Sequence, residues 1–392
     1  MVLQYFRTSK DVAPEAKASA AAPVVAFHGS GRTVWSARDV NTLTQVGFLK
    51  NPVAYRCVKV IAEAASAVPV VVQDADRRFD VHPVLDLLSA PNPGQSGAAL
   101  FESFFGHLLL SGDGYFEAAG IGAAGGPREL YVLRSDRMRV VPGDDGWPVA
   151  YEYRAGAGKH VFDMRQDRVP VLHVKAFHPQ DDHYGLSPLQ AAATAIDVHN
   201  SAAAWSKALL DNAARPSGAI VYKGVDGLGQ LGQDQYDRLV DELEANHQGA
   251  RNAGRPMLLE GGLDWKPMGF SPSDMEFHRT KEAAARDVAL AFGVPPMLLG
   301  LPGDNTYANY QEAHRAFYRL TILPLVGKVL AALSAWLAGH YGAAVQLKVD
   351  FDNVPALADE REALWRRIST ADFLSDGEKR AILGLPPLAD GA

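Results

Sequence analysis

The sequence predicts an α+β protein, and three observations carry that prediction. Apolar residues recur at helical spacing through the first half-hundred residues after Asn51. Short alternating segments then fill Glu129 to Phe177. Further on, two long capped helices bracket a compact β-α-β-β insert. The chain has 392 residues, 47% hydrophobic and 21% charged, so it can bury a sizeable core in two or three folding units.

The elements follow in order. Ser9 to about Arg32 is rich in Ala, Ser, Pro and Gly without sustained periodicity, and residues 1–45 read as a flexible arm. "NPVAYRCVKVIAEAASAVPVVVQD" opens on an Asn-Pro helix start. Ala54, Cys57, Val58, Ile61, Ala65 and Val68 share one face, and a strand from Pro69 to Gln73 follows. "HPVLDLLSAPNPGQSG" is a short helix stopped by Pro91 and Pro93. In "ALFESFFGHLLLSGDGYFEAAG", Leu100, Phe101, Phe104, Phe105, Leu108 and Leu109 stripe a second helix. Gly112 and Gly114 turn it into a strand at Tyr115 to Ala118. "ELYVLR", "RMRVV", "VAYEYR", "HVFDM" and "VLHVKAF" alternate between turn clusters such as "PGDDGWP" and predict one antiparallel sheet.

Next, Ser187 as N-cap, Pro188 in the first turn and Gln190 completing a capping box start a helix. It meets no breaker before Ala213, a length of ~39 Å at 1.5 Å per residue. "SGAIVY", "QDQYDRLVDELEANH", "RPMLLEGG" and "LDWKPMGF" form the insert. A second long helix is capped by Ser273 with Glu276 and ends at Gly293 and Pro295. "LLGLPGDNTYANYQEAHRAFYRLTILP" then sets a polar loop directly against an apolar helix that Pro324 is predicted to kink. A loop that projects into open space from a fixed helix fits that pattern. The strand "AVQLKVDF" and two helices follow, the last capped by Ser375 with Glu378.

Composition excludes some functions. Net charge is −7 and no basic stripe stands out, so the chain does not coat nucleic acid. A single cysteine, Cys57, excludes an intramolecular disulfide and a cysteine metal cluster, and suits a reducing cytoplasm. Met1 to Lys10 carries no apolar signal segment. Leu320 to Gly339 has the length of a membrane span, but Pro324 and Lys328 interrupt it. Its stripe of Ile322, Val326, Val329, Leu333, Trp336 and Leu337 suits a packed helix instead, so no membrane is expected.

Enzyme motifs are weak. "AGAGKHV" around Lys159 lacks the Ser or Thr of a phosphate loop, and "GVDGLGQLG" (Gly224 to Gly232) reads as a surface loop. His178, Asp181, Asp182 and His183 in "FHPQDDHYG" have metal-binding chemistry but no further ligands at matching spacing, so a turn is the better reading. Asp350 and Asp352 in "VDFDNVP" read as a solvated strand end. The expectation is no enzyme, no catalytic residue, no cofactor and no metal. A metal-dependent enzyme on the His178–His183 cluster and a membrane-associated protein stay open as alternatives.

The order of elements, with "NPVAYRCVKVIAEAASAVPV", "LLSGDGYFEA", "YGLSPLQAA", "NAARPSGAI", "GRPMLLEGGLDWKPM", "AFGVPPMLLG" and "DNTYANYQEAHRAFYRLTILPL", resembles the portal proteins of tailed double-stranded-DNA bacteriophages. The branch is that of long-tailed phages and gene-transfer agents, and the likeness runs from about Asn51 to Pro387. It implies a portal fold: an α/β wing at 46–186 and stem helix 1 at 187–213, then a clip at 214–272 and stem helix 2 at 273–293. A tunnel loop would follow at 294–310, a kinked wing helix and strand at 311–355, and a reduced helical crown at 356–392.

The resemblance further implies a ring of twelve subunits at one capsid vertex, assembled in the host bacterial cytoplasm. Double-stranded DNA would pass through it, and it would meet the terminase large subunit, a head-tail adaptor protein and the major capsid protein. Pro302, Gly303, Asp304, Asn305, Thr306, Tyr307, Asn309 and Tyr310 would line the channel. Ala202, Ala203 and Trp205 would pack between subunits. A conduit must touch DNA without gripping phosphate, and an acidic chain with a polar loop that carries no charge able to lock onto phosphate meets that demand.

Overall fold

The computed structural model describes residues 40–73, 78–79, 81–122, 125–156, 158–211, 218–222, 232–234, 237–238, 241, 263–267, 277–302, 307–341 and 345–385. Most of the predicted arm, the strand "RPMLLEGG", the Ser273 cap and most of the "GVDGLGQLG" loop lie outside the described residues. The fold is mixed, with helices packed on open antiparallel sheets.

After a short α1 (Val40–Leu43), α2 (Pro52–Ser66) begins where expected. The Asn51 side-chain oxygen accepts from the backbone N–H of Val53 and of Ala54, both at 3.0 Å, and Pro52 needs no partner at the first position. The predicted face is buried, and burial pushes the Cys57 thiol up to about 12, as suits an inert core residue. Strand β1 (Val70–Gln73) pairs with β2 (Arg78–Phe79) and with β11 (Leu347–Val349), so the two ends of the described chain close one sheet.

Helices α3 (Pro83–Ser89) and α4 (Gly97–Ser111) follow. Gly112 caps α4 in the left-handed region, φ 85°, and leads into β3 (Asp113–Ile121). The predicted single sheet divides into two. β4 (Pro127–Leu133) and β8 (Val171–Lys175) flank β3, while β5 (Met138–Pro142), β6 (Pro148–Ala155) and β7 (Gly158–Asp163) form their own sheet. The physical reason is that the start of β3 is buried on both faces. Phe116 stacks on Phe104 of α4 with centroids 4.0 Å apart, while Tyr115 faces the second sheet through Tyr151. Lys159 sits in the β6–β7 hairpin, which removes the phosphate-loop reading of its glycines.

The helix capped by Ser187 is interrupted. α5 (Pro188–Ala191) tightens at Ala192, whose N–H meets the carbonyls of Pro188 and Gln190, and α6 (Ala193–Asp211) continues. Strands β9 (Gly218–Tyr222) and β10 (Leu263–Pro267) pair antiparallel in the insert. α7 (Phe277–Ala291) returns along α6. After α8 (Tyr307–Phe317), the turn Tyr318–Ile322 is widened to i→i+5 bonding, and α9 (Leu323–Tyr341) carries on. The expected irregularity thus lies in the turn ahead of Pro324. Pro324 has no N–H for the Leu320 carbonyl and its ring crowds that oxygen. Asn309–Tyr341 is long and apolar enough to cross a membrane, but its predicted stripe is buried in the protein core.

Asp350 corrects the solvated-strand reading. It is buried and accepts from Arg78 Nη2 at 2.8 Å and Asn353 Nδ2 at 2.7 Å. Burial alone would raise its pKa, but those donors outweigh it and hold the carboxyl below the usual range. α10 (Ala358–Ser369) and α11 (Asp376–Leu383) end the described chain, and the Ser375–Glu378 capping box forms.

Candidate functional site

The stretch after α7 is fastened at two points, Gly293 and Pro302. Gly293, φ 66°, ends α7, and its carbonyl accepts from the Thr321 hydroxyl of the widened turn at 2.6 Å. A Cβ on Gly293 would lie 2.9 Å from that hydroxyl, so glycine is required twice over, by conformation and by space. The chain then makes one tight turn, Pro296–Leu299, with Gly300 in the left-handed region, and reaches Pro302. There the Arg286 guanidinium of α7 donates to the Pro302 carbonyl. Gly303, Asp304, Asn305 and Thr306 lie outside the described residues, as does the Tyr307 side chain. Asn309 and Tyr310 are exposed on the first turn of α8.

Below α8 lies a pocket of about 330 Å³, where Arg56 and Glu63 of α2 face Tyr310, His314 and Tyr318. Charges around the loop's foot are mostly matched: Arg315 with Glu312 at 3.3 Å and Arg319 with Glu360 at 3.4 Å.

α6 and α7 pack through small residues, since the buried face of α7 is Ala284, Ala285, Val288 and Ala289. Trp205 of α6 stacks on Phe277 at the start of α7, centroids 3.8 Å apart. The stack and the loop's foot therefore lie at opposite ends of a 15-residue helix, about 22 Å apart. Ala203 and Trp205 are half-buried. Ala202 is buried within the chain itself, so its smallness already serves an internal contact.

A polar joint that the sequence did not reveal ties α6 to α2. Because the Asn51 side-chain oxygen caps α2, its Nδ2 must point the other way, donating to Asn200 Oδ1 at 2.9 Å and to His199 Nδ1 at 3.2 Å. Asn200 Nδ2 in turn donates to the Val46 carbonyl at 3.1 Å. His199 must accept, so it is held neutral there. Burial and then the Lys281 charge lower its pKa. In the sequence the only signal there is the Asn-Pro helix start at Asn51.

The His178–His183 cluster folds onto its own backbone. Asp181 Oδ1 accepts from the N–H of His183 at 2.8 Å and of Tyr184 at 3.0 Å, and His178 Nδ1 accepts from Gln180 N–H at 3.1 Å. Among the described residues no group of three His, Cys, Asp or Glu side chains is placed to hold a metal. A second buried set, Asp113–His173–Tyr151, holds sheets together: Asp113 accepts from His173 Nε2 at 2.8 Å and from Gly185 N–H at 2.9 Å.

Comparison with known proteins gives the family and the fold. The family described as "Phage portal protein" matches residues 52–384. A protein of Rickettsia bellii (strain RML369-C) is 40% identical over 348 residues, 88% of this chain and 89% of its own length. The portal protein of Enterobacteria phage HK97 is 24% identical over 292 residues, 72% of this chain and 66% of its own length. A chain in the neck of an empty gene transfer agent (GTA) particle, computed with C6 symmetry, is 67% identical. The match covers 91% of this chain and 96% of that one, with a TM-score of 0.72. A chain in the neck of the native GTA particle, computed with C12 symmetry, is 65% identical over 92% of this chain and 97% of that one, TM-score 0.70.

Proposed function

The chain belongs to the phage portal protein family, and from that premise we propose that twelve copies form a ring at one capsid vertex of a phage or gene-transfer particle. Double-stranded DNA passes through the ring. The observation that carries this reading is the 65% identity, over nearly the whole chain, to a component of a neck computed with C12 symmetry. In this reading α5–α6 and α7 are the stem, the insert at 214–272 is the clip, and residues 294–310 are the loop facing DNA. The remaining helices and sheets form the wing, with a reduced crown at 356–392. Ala203 and Trp205, left partly open by their own subunit, meet the neighbouring stem. The terminase motor and a head-tail adaptor dock on the ring, and the major capsid protein surrounds it. The reading gives the chain no catalytic step.

The anchoring supports the loop's role. The stretch leading to the loop is anchored at Gly293 by Thr321 and at Pro302 by Arg286, and residues 294–310 contain no Lys or Arg, so they add little salt-dependent affinity for phosphate. Deleting Gly303–Thr306 is expected to leave rings and capsids near normal and to impair packaging or retention of DNA. Replacing Asn305 and Asn309 with Lys adds charge in every subunit, so packaging slows and recovers as salt rises. Normal packaging in particles shown to carry both variants removes the loop from the channel. Microscopy of the purified full chain tests the ring itself: a central hole with twelvefold symmetry is expected, and a compact monomer or dimer overturns it.

A further inference from the structure

An open sheet ends in two strands whose outer N–H and C=O groups have no neighbouring strand, and an uncovered edge is a template for another one. In the sheets outside the insert, most of these edges are closed from within the chain. On β4 the Leu130 N–H donates to the Pro91 carbonyl at 2.8 Å, and Asn92 Nδ2 donates to the Leu130 carbonyl at 2.9 Å. On β5 the Val140 N–H donates to the Tyr184 hydroxyl at 3.0 Å. Lys328 of α9 donates to the Lys175 carbonyl of β8, and the Leu347 N–H of β11 donates to the Ser334 hydroxyl at 2.8 Å. β2 is only two residues long. β7 is the exception.

Its six residues pair with β6 on one side. The Met164 N–H, just past the strand, donates to the Val149 carbonyl at 3.0 Å. Alternation then turns the backbone groups of Phe162 and His160 toward β6 and those of Lys159, Val161 and Asp163 outward. Among the described residues no group meets that outward edge, and Val161 is 51% exposed.

The two faces of the sheet say which strand fits. On the outer face, Glu152 stands among three cations: Lys159 at 2.7 Å, Arg154 at 3.8 Å, and Arg139 opposite it on β5. Lys159, hydrogen-bonded to it, and then Arg139 and Arg154 hold its carboxyl below the usual carboxylate range. Asp163, the other acid on this face, is already held by Arg165 at 3.0 Å. Positive charge is therefore in surplus beside this edge, in a chain whose net charge is −7. The inner face is apolar. Phe162 lies opposite Tyr151 and is buried in one cluster with Val140 and Met138.

The geometry points to an interaction surface: the free edge of β7 takes up an extended segment of a partner protein in which acidic and apolar residues alternate. Its backbone continues the ladder at Lys159 and Val161. Its acids lie on the Lys159 and Arg154 side, and its apolar residues extend the core beside Phe162. A second β7 would bring its own surplus of cations to the same place, and DNA has no amide groups to continue a ladder. The inference goes beyond the ring reading and does not depend on it, since one subunit carries the whole edge.

The test uses the full chain and a short fluorescent peptide in which glutamate alternates with valine. Fluorescence anisotropy reads affinity, and hydrogen exchange reads which amides are covered. The expected result is saturable binding with new protection at the Lys159 and Val161 amides. The same peptide with lysine for glutamate, or with its backbone N-methylated, binds at least ten-fold more weakly. Lys159→Glu with Arg154→Glu lowers affinity for the glutamate peptide at least ten-fold and raises it for the lysine peptide. Val161→Pro removes an outward N–H and leaves the β6 ladder intact, so affinity falls by a similar factor at unchanged melting temperature. Where that variant melts early, the N-methylated peptide makes the same cut from the ligand's side. No binding, binding without protection at those two amides, or equal binding of the glutamate and lysine peptides overturns the inference. Protection there in the peptide-free chain that fades on dilution overturns it too, because a second copy then fills the edge, as does the same protection by duplex DNA.

Discussion

The sheet-and-helix body and the α6–α7 pair are built from different material. In the body, Phe104, Phe105 and Phe116 are fully buried, with edge-to-face and stacked rings that fill space between α4 and β3. The helix pair buries mostly smaller side chains, Ala202, Ala284, Ala285 and Ala289 with Val288 and Ile196, and among the described residues has one aromatic stack, Trp205 on Phe277, at its far end. Apolar area removed from water is worth ~25 cal/mol per Å², so phenylalanines stabilise a lone subunit far more than alanines do. Alanines instead let helix axes come close. The body therefore supplies most of the apolar stabilisation of a lone subunit, and the helix pair less.

That contrast breaks first at Phe104. Phe104→Ala is expected to cost about 3–5 kcal/mol, read as a shift in denaturant midpoint at constant slope. A loss under about 1 kcal/mol would mean that the body does not depend on its aromatic centre. Next in size is Asp113→Ala, which strands the N–H of Gly185 and Nε2 of His173 at the join of the two sheets, for about 2–3 kcal/mol by the same measurement. Smaller again is Trp205→Ala, at about 1 kcal/mol in the isolated subunit, since the stack is only half-buried. If Trp205→Ala cost as much as Phe104→Ala, the helix pair would hold a core of its own and the contrast would disappear.

The smallest effect sharpens the comparison at the joint between the two regions. His199 has a folded-state pKa below its ordinary value, so the unfolded chain binds its proton more readily. Its contribution is complete above pH ~6.5 and is lost as pH falls below that toward the folded pKa. His107 and His340 are lowered as well, chiefly by burial, and add the same sign within the body. The local readout is hydrogen exchange at the Val53 and Ala54 amides, which Asn51 caps. Their protection should fall below pH 6.5 in the parent protein and lose most of that dependence in His199→Gln. Unchanged protection from pH 7.5 to 5.5 would detach His199 from the cap.

What the sequence showed, and what it hid, divides along the range of the interactions. The α2 cap, the α4 stripe and the Ser375–Glu378 box rest on residues within a few positions of each other, so spacing alone reveals them. The division of the strands into two sheets turned on β3, whose Tyr115 and Phe116 are buried on opposite faces, a pattern that alternation cannot register. Asn51 with His199, Arg286 with Pro302 and Arg78 with Asp350 are pairs that only the folded chain brings together. Asp350 misled for that reason: beside Asp352 it read as a wet strand end, while its partner stood on β2.

The widened turn at Tyr318–Ile322 sets an angle as well as a bend. Each residue in a helix accounts for about 100° of rotation, so one residue more or fewer in that turn swings everything before it about the α9 axis by that amount. Tyr310 and His314 now face Arg56 and Glu63 of α2, and Thr321 locks the setting by holding Gly293. A single deletion there would leave the composition of α8 intact and aim it elsewhere, carrying off the exit point of the loop that precedes Tyr307. The turn acts as a timing mark on a shaft: it fixes the azimuth at which α8 leaves α9, and in the ring proposed above an error of one notch would be repeated by every copy.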